Sequence, residues 1–248
     1  MLEALRTARA VVRSLRIYYG DRQRRAAMDA LYACFVRAGD LVFDVGAHVG
    51  DRVAAFRRLD ARVIAVEPQP SLVKMLRLLY GRDAAVTIEP VALGATEDAV
   101  DLLLNIDNPT VSTASRGFVQ AAQAASGWEG QAWTKTARVP LTTLDALIAR
   151  HGTPAFVKLD VEGFEAEALA GLSQPVAALS FEFTTIQRDV ALDCIDRCGA
   201  LGYRRFDGAL GESQTLVHGA WQSGDAIRSW LLTLPHDVNS GDIYAVLD

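Results

Sequence analysis

LVFDVGAHVG, residues 41–50, is an apolar run that ends in an acid and continues into a glycine turn. The run is short and rich in β-forming residues, which predicts a buried strand over 41–45. Apolar and charged residues alternate at helical spacing after Gly50, and a second apolar run over 62–66 ends at Glu67. Strand, glycine turn, helix and strand form the first unit of a doubly wound α/β sheet, whose ligands bind beyond the carboxyl ends of the strands.

The glycines and the second acid of this unit predict a site for an adenosine-containing cofactor. Gly46 and Gly50 allow the backbone to turn sharply close to a ligand, and Glu67 can accept two hydrogen bonds from a ribose diol. A dinucleotide site needs G-x-G-x-x-G, but His48 and Asp51 occupy its second and third glycine positions. The spacing instead matches acid-x-G-x-G-x-G, the motif of S-adenosylmethionine enzymes, with one glycine replaced. An NAD-dependent oxidoreductase is therefore disfavoured.

The acid of this motif, Asp44, favours the same cofactor. A carboxylate at this point would repel a pyrophosphate but attract a ligand ammonium group. At 4 Å and an effective dielectric constant of 20, two unit charges interact by about 4 kcal/mol before desolvation costs. The alternative, from this motif alone, is a tight strand–helix turn that binds no ligand.

A second motif, VKLDVEGFE at 157–165, again places acids and a glycine after an apolar strand. With this motif the chain resembles the FkbM family of S-adenosylmethionine-dependent methyltransferases. Where the family commonly has Asn and Thr, this chain has His48 and Val53. The matching segments follow the family's order over roughly residues 39–248, and they are DVGAHVG (44–50), VEP (66–68), VALG (91–94), LTTLDALI (141–148), VKLDVEGFE (157–165), SFEF (180–183) and SGDIYAV (240–246).

The resemblance implies a seven-stranded Rossmann-like methyltransferase sheet with a final antiparallel strand. It also implies S-adenosylmethionine as donor and transfer to an acceptor oxygen, here a hydroxyl of a glycan, natural product or other small molecule. An N-methyltransferase of the same fold and a non-catalytic binding module are the alternatives. The residues predicted to bind the donor are Asp44, Gly46, Ala47, His48, Gly50, Glu67, Pro68, Ala92 and Leu93.

Three acids are candidates for work on the acceptor. A hydroxyl must lose its proton during methyl transfer, and a carboxylate within reach can accept it. Asp160 and Glu162 follow a predicted strand, while Glu182 lies inside an apolar strand, where an acid is costly without a task or a partner. We therefore predict these three as catalytic residues, with Lys158 as an ion-pair partner of Asp160 or Glu182. Alternatively, Asp160 and Glu162 cap the next helix.

These three acids also offer hard oxygen ligands of the kind that divalent metals prefer. The resemblance does not require a metal, and we predict none.

Composition limits the remaining function classes. The chain has 248 residues, half of them hydrophobic, which suffices for one sizeable domain with an appendage. A net charge of −5 argues against general nucleic-acid binding.

No apolar run is long enough for a transmembrane helix, and no signal-peptide pattern is present. The three cysteines are typical of a reducing compartment, so we expect a cytoplasmic protein. The sequence assigns no oligomeric state.

Residues 1–38 form a predicted helical extension that precedes a methyltransferase domain over 39–248. Leu5, Ala8, Val12 and Leu15 share one face of the first helix, and arginines line another. One interpretation is a basic helix that contacts anionic lipid or an acidic partner. The alternative is a helix packed on the catalytic domain with solvated arginines.

Strands and helices alternate along the rest of the chain, as a parallel sheet requires. Two long segments, 106–136 and 209–240, interrupt the alternation and are predicted to select the acceptor. His218 and His236 of the second segment are further candidates for the base that accepts the proton. Alternatively, these histidines lie at the surface or line the pocket, and the tryptophans of the two segments close small satellite cores. The predicted strands are 41–45, 62–66, 85–91, 100–104, 155–160, 177–183, 202–206 and 242–247, and the predicted helices are 49–59, 71–79, 142–150, 164–170 and 188–199.

Overall fold

A computed structural model describes residues 2–247, with side chains from Leu5 onward. The outer ends of the two predicted domains, Met1 and Asp248, lie outside the described residues. The helices are α1 (Leu2–Gly20), α2 (Arg22–Tyr32), α3 (Asp51–Arg58), α4 (Pro70–Tyr80), α5 (Arg116–Ala124), α6 (Leu144–His151), α7 (Glu165–Ala170), α8 (Arg188–Leu201) and α9 (Gly224–Thr233). The strands are β1 (Leu41–Val45), β2 (Arg62–Val66), β3 (Val86–Glu89), β4 (Ala92–Leu93), β5 (Asp98–Leu104), β6 (Lys135–Thr142), β7 (Phe156–Leu159), β8 (Ala178–Thr184), β9 (Arg205–Leu210) and β10 (Ser240–Val246).

The central sheet has seven strands in the order β3-β2-β1-β7-β8-β10-β9. Strands β3, β2, β1, β7 and β8 pair in parallel, whereas β10 runs antiparallel to both β8 and β9. This confirms the predicted seven-stranded sheet with a final antiparallel strand. Because the parallel strands share one direction, their carboxyl ends meet at a single edge, where ligands of such sheets bind.

Both faces of the sheet are covered by helices. On one face, α6 to α9 pack on apolar side chains such as Phe43 and Phe181. On the other, α2, α3 and α4 pack around the ring cluster of Tyr32, Phe56 and Phe156. This two-sided burial explains why the central strands are almost continuously apolar.

A second sheet of three strands, in the order β4-β6-β5, lies beside the main one. The sequence interpretation missed β6 and both helices of the motif-poor segments. Helix α5 starts after Ser115, whose hydroxyl accepts a hydrogen bond from the Phe118 amide, and α9 starts in the same way after Ser223. The two segments are therefore not the long irregular connections that we expected.

The predicted strand over 202–206 begins late. Gly202 ends α8 in the left-handed conformation, with φ of 104°, so the chain needs two more residues before β9 starts at Arg205.

The buried face of α1 differs from the predicted one. Leu5 and Val12 are 51% and 45% exposed, whereas Ala10 and Val11 are buried. The inner face is shifted because Val11 packs with Leu72 of α4. The helix thus packs on the α/β domain, and Arg6 forms an ion pair with Asp107. Lipid contact by its outer face stays a prediction.

Among the described residues, none of the helices combines the length and the apolar character that crossing a membrane requires.

Candidate functional site

One pocket lies at the carboxyl edge of the parallel strands. It encloses about 810 Å³, its open mouth included. Gly46 follows β1, Glu67 follows β2 and Asp160 follows β7, and all three line the pocket together with Glu182 of β8. The sheet therefore brings the predicted donor turn and the predicted catalytic acids into one cavity.

The glycine turn is tightly packed against the neighbouring strand. Gly46 has φ of +83°, and a Cβ atom added there would lie 1.7 Å from the Asp160 carbonyl oxygen. Gly50 has φ of +82° and begins α3. The Gly46 and Ala47 amides both donate to the Val66 carbonyl, at 2.9 and 3.0 Å. The turn is thus fixed by the protein itself before any ligand arrives.

Glu67 is buried beneath this turn and held by backbone amides. One carboxylate oxygen accepts a hydrogen bond from the His48 amide at 2.9 Å, and the other accepts one from the Gln69 amide at 2.8 Å. Burial raises the pKa of Glu67 to about 8, although both amides oppose the shift. Each carboxylate oxygen has a second lone pair, so the group can still bind two hydroxyls of a diol.

Asp44 lies deeper than the predicted donor contacts. Its side chain is fully buried, and neither carboxylate oxygen has a hydrogen-bond partner among the described residues. Burial raises its pKa to about 7. Among the predicted donor residues, Gly46, His48, Glu67, Pro68, Ala92 and Leu93 line the pocket, while Asp44, Ala47 and Gly50 lie behind its wall.

The His48 side chain faces the pocket as a neutral imidazole. Burial lowers its pKa to about 4. Its Nε2 lies 3.4 Å from the Thr110 hydroxyl, and the Tyr18 ring packs edge-on with centroids 5.3 Å apart. This residue therefore does two things: its backbone orients Glu67, and its ring forms part of the pocket wall.

The three predicted catalytic acids converge. Asp160, Glu162 and Glu182 line the pocket, and one carboxylate oxygen of each lies within 4.8 Å of the others. Burial and the charge of Asp160 raise the pKa values of Glu162 and Glu182 well above the usual range. The Oε2 of Glu182 is buried without a partner among the described residues.

Asp160 remains an anion because two cations contact it. Burial opposes its ionisation, yet Lys158 and Arg52 hold the pKa of Asp160 low, at about 2. Lys158 is fully buried, and its Nζ lies 3.2 Å from Asp160 and 2.8 Å from Asp242. The predicted pair with Asp160 is present, whereas the second ion pair of Lys158 is with Asp242 rather than with Glu182.

The capping alternative for Asp160 and Glu162 does not hold. Helix α7 begins after Phe164 without a hydrogen bond from a capping side chain, and the Glu165 carboxylate instead accepts hydrogen bonds from the loop amides of Val161 and Gly163. Glu162 has φ of +56°, so the segment is not extended, and a left-handed residue directs this side chain to the pocket.

Sequence reasoning did not single out several charged or aromatic pocket residues, among them Tyr18 of α1, Arg52 of α3 and Glu212, which follows β9 within the predicted acceptor segment 209–240. Arg52 lies 3.2 Å from Asp160 and 4.0 Å from Glu212. Arg24 of α2 bridges Asp51 and Glu212, at 3.0 and 2.7 Å. The N-terminal helices therefore contribute a wall of the pocket. The sequence offers no local signal for these contacts, because they join residues far apart in the chain.

The motif-poor segments contribute small and polar side chains to the pocket, namely Thr110, Ser112, Ala114 and Glu212. Their tryptophans serve packing instead. Trp128 and Trp133 pack edge-on against Phe118, and Trp230 packs against Phe183. This arrangement favours the satellite-core alternative.

Neither of the two candidate histidines of the second segment is among the pocket-lining residues that the structure describes. His218 contacts Asp207, with Nδ1 at 2.6 Å from the carboxylate. His236 lies 3.1 Å from the Ser126 carbonyl.

The acid cluster could hold a divalent cation through one oxygen each from Asp160, Glu162 and Glu182. The ammonium of Lys158 and the guanidinium of Arg52 both contact Asp160, and their charges oppose such binding. The predicted absence of a metal stays a prediction.

Comparison with known protein families identifies the family to which this chain is similar. The model of the methyltransferase FkbM domain matches residues 44–232, which is well over half of the chain. No curated protein matches the chain.

Solved structures similar to this chain include two methyltransferases and a fibrillarin. Precorrin-6y C5,15-methyltransferase from Geobacter metallireducens is 13% identical, with a TM-score of 0.44 over 90% of this chain and 87% of that one. Magnesium protoporphyrin IX methyltransferase from Synechocystis, with bound S-adenosylmethionine, is 12% identical, with a TM-score of 0.44 over 96% and 84%. Aeropyrum pernix fibrillarin, in complex with S-adenosylmethionine, is 10% identical, with a TM-score of 0.45 over 89% and 73%. These likenesses assign neither a ligand nor a substrate to this chain.

Proposed function

We propose that this chain, which belongs to the methyltransferase FkbM domain family, transfers a methyl group from S-adenosylmethionine to a hydroxyl oxygen of a small-molecule or glycan acceptor. The observation that carries the proposal is the joint pocket of Glu67 and the acid cluster. A ribose-binding acid at one end and carboxyls of raised pKa at the other suit a donor and a hydroxyl acceptor, respectively.

The pocket residues fit the donor. Ala92 and Leu93 offer an apolar wall for adenine, and Glu67 offers acceptors for the ribose. Asp44 lies behind the pocket wall, next to the lining residue Val45, and its unsatisfied oxygens would attract a positively charged group of the ligand through space rather than by contact. When bound, the donor supplies an already activated methyl group on its sulfonium, so the protein mainly aligns the reactants. Such alignment is worth roughly 7–11 kcal/mol in favourable cases.

Glu182 is the residue we assign to the acceptor proton. It lines the pocket, and its Oε2 has no partner among the described residues. When ionised, a carboxylate of raised pKa is a stronger base than an ordinary one. Asp160, fixed as an anion by Lys158 and Arg52, has a carboxylate oxygen within 4.8 Å of one of Glu182, and its charge helps to raise the pKa of Glu182. Glu162 contributes a third carboxyl on the same side.

An amine acceptor is the second candidate, and the charge of the pocket favours it. Five acidic side chains line the cavity: Glu67, Asp160, Glu162, Glu182 and Glu212. Arg52 is the one arginine or lysine among the described lining residues. An approaching cation lowers the raised pKa values of Glu67, Glu162 and Glu182, so these acids would ionise and bind a protonated amine as well as the cationic donor.

Transfer of a labelled methyl group distinguishes these functions. The chain is incubated with methyl-labelled S-adenosylmethionine and matched panels of hydroxyl and amine acceptors. We expect label on hydroxyl acceptors, with the yield reduced by Glu182→Gln. Label confined to amines would replace the proposal with N-methylation. Donor binding without transfer to either panel would favour a non-catalytic binding module.

The location of the protein is a further part of the proposal. Cys34, Cys194 and Cys198 are free thiols. Unpaired thiols are typical of a reducing compartment, and we propose a cytoplasmic location on this ground.

A further inference from the structure

We propose that Arg52 binds the carboxylate of the donor's methionine moiety. This inference rests on the proposed function. Its basis is a guanidinium that lines the pocket, sits at the methionine end and has unused hydrogen-bond donors.

The Arg52 side chain is held in the pocket by ion pairs. Its side chain is 12% exposed, and its Nη2 lies 3.2 Å from Asp160 and 4.0 Å from Glu212. Neither contact is a well-aligned hydrogen bond, and the Nε is buried without a partner among the described residues. By contrast, Arg57 and Arg58 of the same helix donate hydrogen bonds to Asp83 and Asp29, at 2.8 and 2.7 Å. A guanidinium with five N–H donors and no aligned acceptor is suited to a ligand carboxylate.

The strand order locates Arg52 at the methionine end. Glu67 follows β2 and Asp160 follows β7, and these strands flank β1 on opposite sides. A donor whose ribose lies at Glu67 therefore extends across the end of β1 towards Asp160. Arg52, paired with Asp160, lies where the far end of the donor arrives.

Other donors near the turn are already engaged. The amides of Gly46 and Ala47 bond to Val66, the Gly50 amide bonds to Ala47, and the His48 amide bonds to Glu67. The side chain of Val53, the next residue after Arg52, offers no donor at all and is fully buried. The Arg52 guanidinium is thus the strongest anion-binding group that this part of the pocket presents.

Two acids face Arg52 and compete with a ligand carboxylate. Asp160 is the closer partner, while Glu212 is 4.0 Å away with a side chain 47% exposed. Glu212 follows β9 and also pairs with Arg24 at 2.7 Å. A ligand carboxylate can therefore displace the weaker contact of Glu212 and leave the pair with Asp160 in place.

Calorimetry with two donors tests the assignment. The intact chain is titrated with S-adenosylmethionine and with decarboxylated S-adenosylmethionine, which lacks only the carboxylate. The measured quantity is the ratio of the two dissociation constants. A charge-assisted bidentate contact corresponds to about 10- to 100-fold in affinity. We expect Arg52→Met to reduce the preference for the intact donor by that factor, and the matched control Arg58→Met to leave it unchanged.

Decarboxylated S-adenosylmethionine is more cationic than the intact donor, so the acidic pocket attracts it more strongly. Comparing the ratio of the two dissociation constants between each variant and the wild type cancels this general attraction. If Arg52→Met does not fold, Arg52→Lys decides, because a lysine keeps the charge but not the planar fork. We expect this variant to reduce the preference at least threefold, on the order of a single lost contact. An unchanged ratio in the folded variant would overturn the assignment while wild-type donor binding stands. Failure of the wild type to bind S-adenosylmethionine would overturn the proposed function and, with it, this inference.

Discussion

The two ends of the pocket hold their carboxylates in opposite ways. At the donor end, both oxygens of Glu67 accept hydrogen bonds from backbone amides, of His48 and of Gln69. At the acid end, Asp160 is held by the side-chain charges of Lys158 and Arg52. A backbone amide cannot move without the turn that carries it, whereas side-chain charges respond to every neighbouring charge and proton.

The two ends of the pocket should therefore respond differently to substitutions. The donor end is preorganised, so a substitution there should change ligand affinity through a few defined hydrogen bonds. The acid end is electrostatically coupled, so a substitution there should change proton affinity, turnover and stability together.

Replacing Glu182 should have the largest effect. Glu182→Gln removes the group that accepts the acceptor's proton, and we expect turnover to fall on the order of 10²- to 10⁴-fold. The donor dissociation constant should change less than about threefold, because the donor end is untouched. Steady-state kinetics and calorimetry measure the two quantities. Glu167→Gln, at an exposed acid of α7, is the control. Equal losses of turnover in both variants would contradict the assignment.

Replacing Lys158 should lower stability more than any other change at the site. Lys158→Met leaves Asp160 and Asp242 without the cation that they share. Breaking a buried ion pair in this way costs about 3–5 kcal/mol. Urea unfolding followed by circular dichroism measures the free energy of unfolding. A loss below about 1 kcal/mol would be typical of an exposed pair, and it would show that the acid end is not coupled as described.

Replacing Glu67 should weaken donor affinity with little effect on turnover at saturating donor. Glu67→Gln keeps the shape but places an amide donor opposite the amide of His48 or Gln69. We expect about a 10- to 100-fold increase in the donor dissociation constant. Calorimetry and kinetics at high donor concentration measure the effect. A variant with normal affinity and reduced turnover would reverse the roles of the two ends.

Stability should fall as the pH rises through the pKa of Asp44. Burial raises this pKa to about 7, so the folded state holds a proton that the unfolded chain releases near pH 4. The contribution is complete below that pH and is lost as the pH rises through about 7. We expect Asp44 to contribute a loss on the order of 1–2 kcal/mol between pH 6 and pH 8.5 in the protein without donor, and Asp44→Asn to lose less by that amount, while Glu67, whose pKa is also raised, to about 8, adds a loss of the same sign in both proteins. A loss of the same size in this variant would remove Asp44 as the cause.

The sequence predicts the donor end better than the walls around it, for a physical reason. Strand, turn and ribose acid are contiguous, so DVGAHVG and Glu67 define that part of the site locally. The acids of VKLDVEGFE were found in the same way. Arg52, Tyr18 and Glu212 enter the pocket through tertiary packing. Their contacts join segments up to 188 residues apart, as between Arg24 and Glu212, and no periodicity encodes such a contact.

The errors in the helices have a related cause. The apolar spacing of α1 identified a face, but Val11 packs with Leu72 of α4 and sets a different one. Helices α5 and α9 lie within segments whose tryptophans and serines indicated loops. A serine caps the start of each of these two helices. Such caps are local signals in the sequence, and we missed them because each segment was interpreted as a single loop.

The most direct test of the central claim is a calorimetric titration of the purified chain with S-adenosylmethionine, with NAD titrated in parallel. The joint pocket predicts saturable binding of S-adenosylmethionine, weakened by Asp44→Ala and by Glu67→Ala, and no binding of NAD. Binding of NAD alone, or an S-adenosylmethionine affinity unchanged in both variants, would contradict the account.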